Sequence, residues 1–141
     1  MSKQREILDA LNAFLFATPG IAGVTGLETS PKDLPAAQSV PGAKASDPFT
    51  ARTHVKEYAL FGVWLVANTT QVGMLDLGAA VMNKLEVKDG SGNFLGISSV
   101  EITDVLCINF EPFETEEAAG RGERRWLLEV KVEYVRLRGQ A

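Results

Sequence analysis

The chain has little of what most catalytic and metal sites are built from. Cys107 is its only cysteine, so no disulfide and no thiolate metal cluster can form within the chain. The apolar residues around it indicate a buried thiol and folding in a reducing cytoplasm. His54 is the only histidine, and no G-x-S-x-G nucleophile motif accompanies it. We therefore expect no enzyme activity, no catalytic residues and no cofactor.

Long apolar runs and a strong net charge are also missing. No stretch approaches the roughly 20 apolar residues of a membrane-spanning helix, and the net charge is only −4. Nucleic-acid binding needs clustered Lys and Arg to neutralise phosphates. The one basic cluster, Arg121, Arg124 and Arg125, is interrupted by Glu123. We expect no membrane partner and no recognition of nucleic-acid sequence.

Motifs for metal ions fail as well. Asp89, Ser91 and Asn93 fit the first ligand positions of a calcium loop, but Phe94 stands where glycine is needed and Val100 where glutamate is needed. A glycine-rich β-turn explains this stretch better. We therefore expect no metal site.

The sequence does contain regular apolar patterns spread over one domain, residues 1–141. They predict a helix over 3–17, a short strand over 23–28, a long strand over 53–66, a helix over 71–85 and a strand over 97–110. The second helix is predicted to bury a single apolar stripe. Its members are Val72, Leu75, Ala79, Met82 and Leu85.

Two strands have informative faces. In the long strand the half with His54, Lys56 and Glu57 is expected to be wetter. The other half is apolar on both faces, which indicates burial on both sides or a subunit contact. The last strand alternates strictly, and its predicted core side is Trp126, Leu128, Val130, Val132 and Tyr134. These elements predict an α+β fold, with two amphipathic helices packed on one face of a mostly antiparallel sheet.

Residues 29–52 show no apolar periodicity and contain four of the six prolines, Pro31, Pro35, Pro41 and Pro48. Proline lacks a backbone donor and fixes φ, so we predict that neither a helix nor a central strand runs through this stretch. A loop of this length in a compact domain is usually a binding segment or disordered. We predict an extended arm over 29–52.

Several short pieces carry a family resemblance. The first helix contains Ile7-Leu8-Asp9-Ala10-Leu11 and stops at Pro19-Gly20, and Leu34-Pro35-Ala36 follows. The second helix contains Leu75-Asp76-Leu77-Gly78-Ala79-Ala80, and a strand over 127–135 closes the pattern. On these residues most of the chain resembles the tail terminator or tail-completion proteins of long-tailed bacteriophages. It departs from them in 29–52, which is longer and richer in proline.

The resemblance implies a structural virion protein. It implies an α+β subunit that is assembled in the host cytoplasm and closes into a hexameric ring at the head-proximal end of the tail. Such a ring stops polymerisation of the tail tube and offers a surface for head attachment. The implied partners are the chain itself, the tail tube protein and a head-completion or connector protein.

Two segments are the expected contact surfaces: the end of the proline-rich arm and the charged loop over 114–124. The predicted contact residues are Phe49, Arg52, His54, Glu116, Glu117, Arg121, Arg124 and Arg125. An extended proline-rich arm reaches over a neighbour at a small ordering cost. Deletion of residues 32–47 is therefore predicted to leave the subunit folded and to abolish assembly.

Two other functions stay open on the sequence alone. One is a head–tail connector or minor tail protein built on a similar subunit. The other is a small-ligand-binding or enzymatic α+β domain that uses the face around Trp64. The latter would be a monomer or dimer with a concave apolar pocket.

Overall fold

The chain folds into an α+β structure of two layers. The computed structural model describes residues 2–25, 34–47 and 53–141. Its strands are β1 (Gly23–Thr25), β2 (Ala36–Ser46), β3 (His54–Ala67), β4 (Glu101–Pro112) and β5 (Arg124–Leu137). They form one sheet in the order β1-β2-β3-β5-β4, in which only β1 and β2 are parallel neighbours. The predicted fold class is confirmed.

The first helix, α1 (Lys3–Phe16), agrees with the prediction from periodicity. The Ser2 hydroxyl accepts a hydrogen bond from the Arg5 amide at 3.1 Å and so satisfies one free donor of the first turn. Ile7, Leu11 and Leu15 are fully buried on its inner side. The helix is therefore held on the sheet by one apolar stripe.

The centre of the sheet is the antiparallel pair of β3 and β5, which runs in unbroken register from His54 opposite Leu137 to Ala67 opposite Arg124. The predicted core side of β5 is confirmed, because alternate residues from Trp126 to Tyr134 are buried. On β3 the buried residues are, apart from Val66, the ones in phase with Val55 and Ala59. This face packs against the helices, whereas none of the helices in the described ranges covers the opposite face.

Residues 36–46 form an interior strand, where the sequence predicted an arm. β2 pairs with β1 on one side and β3 on the other, so the predicted loop is wrong for Ala36–Ser46. Residues 29–33 and 48–52 of the predicted arm, and residues 26–28 of the predicted short strand, lie outside the described residues. Deleting 32–47 would remove a strand from the sheet, so the structure does not support the expectation that this deletion leaves the subunit folded.

The structure accommodates a proline before β2 and one within it without breaking the sheet. Pro35 precedes the strand. Pro41 lies beyond the part that β1 covers, and the register against β3 shifts between Pro41 and Lys44. Proline is tolerated at sheet edges and at bulges. The half of β2 that begins at Pro41 is at the edge of the sheet and contains a bulge. The expectation that proline excludes a strand was therefore wrong here.

The second helix, α2 (Gln71–Leu85), has its predicted bounds, and the Thr70 hydroxyl caps it by accepting from the Gly73 amide at 3.1 Å. Its buried side differs from the predicted stripe. The buried residues are Met74, Gly78, Val81 and Leu85. Gly78 belongs to this set because the ring of Phe110 from β4 occupies the space where a side chain would be.

The remaining elements are short. A 3₁₀ turn (Phe94–Gly96) precedes β4, so the predicted strand begins later than expected, at Glu101, and it continues two residues past its predicted end, to Pro112. A one-turn helix, α3 (Glu116–Gly120), lies in the segment predicted as a charged loop. None of the helices in the described part of the chain is both long and apolar enough to cross a membrane.

Candidate functional site

An apolar stripe on α2 is exposed to solvent. Val72 is 66% exposed and Leu75 52% exposed, and Ala79 continues the same side of the helix. At 100° per residue this side lies about 120° around the axis from the buried residues. The stripe was predicted to be buried, and that prediction is wrong for these three residues. They keep helical spacing, but they form a second apolar side of the same helix.

The helix therefore has almost no polar side. Its 15 residues include only two charged ones, Asp76 and Lys84. Lys84 points towards α1, since its Nζ lies 5.8 Å from the centre of the Phe14 ring. The exposed stripe is on the other side, at the flank of the molecule beside β4. A helix that is apolar all round is normally buried all round, so this flank is a candidate contact surface.

The edge strand β4 borders this flank and also carries exposed apolar residues. Leu106 is 47% exposed and pairs with Lys131, so it points to the face of the sheet away from the helices, and Ile108 is 46% exposed. The register against β5 shifts twice along the strand, and the Cys107 amide donates to the Glu86 carboxylate at 2.9 Å instead of to a strand. Bulges and capped amides are features that prevent strand addition at an edge. Contacts at this flank should therefore be made by side chains.

The helix-free face of the sheet is a second apolar surface. Trp64 of β3 is half-buried there, and its ring makes an edge-to-face contact with Phe113 at a centroid distance of 5.4 Å. A shallow groove of about 290 Å³ crosses this face over Gly62, where an added Cβ would lie 2.9 Å from Val40. The sequence predicted apolar character here, and the structure leaves this surface partly open to solvent.

A buried carboxylate forms the most highly connected polar site among the described residues. Glu57, at the start of β3, is 2% exposed. It accepts hydrogen bonds from Tyr134 Oη at 2.7 Å, Arg136 Nε at 2.8 Å and Ser46 Oγ at 2.9 Å. Lys44 Nζ lies 3.7 Å away. Three strands thus converge on one carboxylate, which we call the Glu57 cluster: Lys44, Ser46, Glu57, Tyr134 and Arg136.

The cluster shifts two pKa values. Burial raises the pKa of Glu57, but the hydrogen bonds from Tyr134, Arg136 and Ser46 outweigh it, so the net pKa is lowered. Burial and the neighbouring Glu57 charge raise the pKa of Tyr134. The Glu57 carboxylate therefore stays charged and accepts hydrogen bonds from these neighbours. It is not poised to exchange a proton near neutral pH.

Sequence reasoning missed this cluster. Glu57 was placed in the wet half of its strand, and that prediction is wrong, because Glu57 has the same phase as Val55 and Ala59 and points into the core face. The period-two pattern was the signal that could have found it. Lys44 and Ser46 could not be assigned, since they lie in the segment predicted as an arm.

The predicted contact residues are scattered. His54 is exposed at the start of β3, with its Nδ1 2.8 Å from the Thr53 hydroxyl. Glu116 and Glu117 are exposed on α3, and Arg121 contacts Glu123 at 3.4 Å. Phe49 and Arg52 lie outside the described residues. The structure does not bring His54 together with the charged segment.

The base of the charged segment is tied to the fold. Arg124 bonds the Glu114 carboxylate at 2.7 Å and the Thr69 carbonyl at 2.9 Å. Glu114 also accepts from the Trp126 indole at 3.2 Å, and the hydrogen bond from Arg124 lowers its pKa. Arg125 is half-buried, and its Nε has no hydrogen-bond partner. Arg124 thus has a structural role in the subunit itself.

The rejected calcium loop is a turn. Asp89 Oδ1 accepts from the Ser91 amide at 2.8 Å and from the Asn93 amide at 3.0 Å, a geometry that closes the backbone on itself. Among the described residues no group of three or more His, Cys, Asp or Glu could hold a metal ion. Burial and the nearby Glu86 raise the pKa of Cys107 to about 12, so its thiol stays protonated at neutral pH.

Comparisons with known proteins give a likeness in fold. A chain in a solved structure described as "Virion of native gene transfer agent (GTA) particle" is similar to this one with a TM-score of 0.59. The alignment covers 96% of each chain at 16% sequence identity. At that identity the likeness shows a shared fold. No protein-family model and no curated protein matches the sequence.

Proposed function

We propose that this chain is a structural virion protein, without enzyme activity, that forms a hexameric ring at the end of a phage tail tube. The ring stops tube polymerisation and provides the surface for head attachment. The observation that carries the proposal is the fold shared with a chain of a gene transfer agent virion over 96% of both chains. A match of this extent relates the whole subunit to a protein of an assembled particle.

The distribution of apolar surface supports a subunit that contacts its neighbours. A ring is built from head-to-tail contacts, in which one flank of a subunit meets a different flank of the next. The exposed stripe Val72, Leu75 and Ala79 lies at the β4 flank, and α1 lies towards the other flank. We place one side of the subunit contact at this stripe. Among the contact residues expected from the sequence, Glu116, Glu117 and Arg121 are the exposed ones in the charged segment.

The experiment is to measure native mass by light scattering over a concentration series, alone and with the tail tube protein of the same particle. A species near six times 15.2 kDa supports the ring. So does a monomer that forms such a species only at tube ends. A strict monomer or dimer that ignores the tube protein would overturn the proposal and favour the ligand-binding alternative at the Trp64 face. Rings that leave tube length unchanged would favour another neck or minor tail role.

A pair of variants tests the placement of the contact. Leu75→Glu should abolish the ring and change the free energy of unfolding of the monomer by less than about 0.5 kcal/mol, because the side chain is half exposed. The matched control is Ala80→Glu, which puts the same charge on an exposed position of α2, about 100° or more from the stripe centre. Rings that survive Leu75→Glu, or are lost equally in both variants, would remove the stripe from the contact.

A further inference from the structure

The register of β2 against β3 changes by one residue along the strand. From Ala36 opposite Val66 to Pro41 opposite Phe61 the pairing is regular, and it resumes with Lys44 opposite Ala59. Gly42 and Ala43 together therefore oppose the single residue Leu60, which is the arrangement of a β-bulge. The close backbone approach at the bulge suits glycine, since a Cβ on Gly42 would lie 2.9 Å from the Leu60 carbonyl oxygen.

The bulge decides which side chains face the buried carboxylate. Paired residues of an antiparallel ladder point to the same side of the sheet. With the bulge, Lys44 and Ser46 lie on the side of Glu57, and both contact it. Without it, the regular pairing would continue and put Ala43 and Ala45 on that side. The two registers thus offer Glu57 either an ammonium and a hydroxyl or two methyl groups.

We infer that Glu57 selects the bulged register of β2 through Lys44 and Ser46, and thereby fixes the position of Asp47 beside β3. A buried carboxylate is costly unless its lone pairs are bonded and its charge is paired. Tyr134 and Arg136 belong to β5 and contact Glu57 in either register. Only the β2 partners distinguish the two.

One further contact lies at the bulge and is compatible with both registers, because Gly42 is opposite Leu60 in either. Gln4 of α1 donates from its side-chain amide to the Gly42 carbonyl at 3.3 Å, a carbonyl within the bulge. This bond is between exposed groups and is worth less than bonds to a buried charge. Continuous pairing, in turn, would restore ladder bonds that the bulge interrupts. The contacts of Lys44 and Ser46 with Glu57 stabilise the bulged register by more than these interrupted ladder bonds would stabilise the continuous one.

The consequence is positional. Asp47 continues the ladder, with its amide bonded to the Lys56 carbonyl at 2.8 Å. A slip of one residue would move Asp47 by about 3.3 Å along β3 and turn it to the other side of the sheet. Glu57 therefore sets where Asp47 lies along β3 and to which side of the sheet it points. This inference does not depend on the proposed virion function.

The test is the pairing of β2 in the double variant Lys44→Ala/Ser46→Ala, followed by backbone NMR of the full chain. Both substitutions are at the exposed end of the strand, so the fold should persist. The expected result is a second set of resonances for 43–46, with cross-strand contacts from Ala43 to Ala59 and from Ala45 to Glu57. A single set with residue 44 still opposite Ala59 would overturn the inference and leave the bulge to the Pro41–Gly42 backbone.

A deletion supplies the matched control. Removing Ala43 eliminates the extra residue while keeping Lys44 and Ser46 in phase with Glu57. In this background the double substitution should give one set of resonances, because no alternative register with a bulge remains to be lost. Two sets in the deletion background would show that the new resonances report fraying, and this too would contradict the inference.

Discussion

Gly78→Ala offers a sharp test of how α2 packs on the sheet. A Cβ at this position would lie within 2.6 Å of Phe110 Cζ and 2.9 Å of Phe110 Cδ2, distances that no packed side chain tolerates. The ring cannot easily move away, because its centroid lies 5.0 Å from that of Trp126, which is buried. The helix or the aromatic pair must therefore shift.

The magnitude follows from two opposing effects. Alanine in place of glycine favours a helix interior by about 1 kcal/mol, whereas overpacking a core contact costs about 1–3 kcal/mol. We expect Gly78→Ala to lower the free energy of unfolding by up to about 2 kcal/mol. Urea denaturation measures this as a lower midpoint at unchanged slope. It should be done at a concentration where the chain is monomeric, because association adds stability.

The same helix supplies the control. At Gly73 an added Cβ would meet the side chain of Thr69, with Cγ2 at 3.0 Å, and that side chain is exposed and free to rotate. Gly73→Ala should therefore be neutral or stabilising by up to about 1 kcal/mol. In a Phe110→Leu background the cost of Gly78→Ala should shrink. A Gly78→Ala variant as stable as the wild type, or equal to Gly73→Ala, would refute the packing argument.

Two other predictions concern the core and its buried charge. Trp126→Ala should cost about 3–5 kcal/mol and unfold the domain under mild denaturant, as followed by far-ultraviolet circular dichroism. The lowered pKa of Glu57 means that its carboxylate stabilises the fold above its ordinary value of 4.5, and that this stability is lost as pH falls through the folded-state pKa. Unfolding free energy measured against pH should show this loss in the wild type and not in Glu57→Gln.

The sequence correctly predicted the elements that have one apolar side and one polar side. The strict alternation from Trp126 to Tyr134 could only be a strand with one covered face, and the stripe of Ile7, Leu11 and Leu15 could only be the inner side of a helix. In both cases one side of the element is polar. Periodicity then identifies the core without any knowledge of the neighbours.

Where both sides of an element are apolar, periodicity could not identify which side is buried. Val72, Leu75 and Ala79 of α2 satisfy helical spacing as well as Met74, Gly78 and Val81 do. The choice between them is made by Phe110, which needs a residue without a side chain opposite it. That is a property of packing between elements distant in sequence, and no local pattern records it.

The candidate site was the least predictable part. Recognising Ala36–Ser46 as a strand required knowing that β1 covers only its first residues and that a bulge lies next to Pro41. The Glu57 cluster depends on that strand, so it was lost with it. The exposed stripe of α2 was seen as apolar but assigned to the wrong side. The contacts of Phe49 and Arg52 remain predictions.

The strand order has a consequence for the order of folding. β5 lies between β3 and β4, although both precede it in sequence. Until residues 124–137 have been synthesised, β3 and β4 lack the strand that lies between them and pairs with both. The central pairing of β3 with β5 also joins residues that are far apart in sequence, which makes it slow to form. A partly synthesised chain therefore has no completed sheet. The sheet closes late in translation, when its interior strand β5 becomes available.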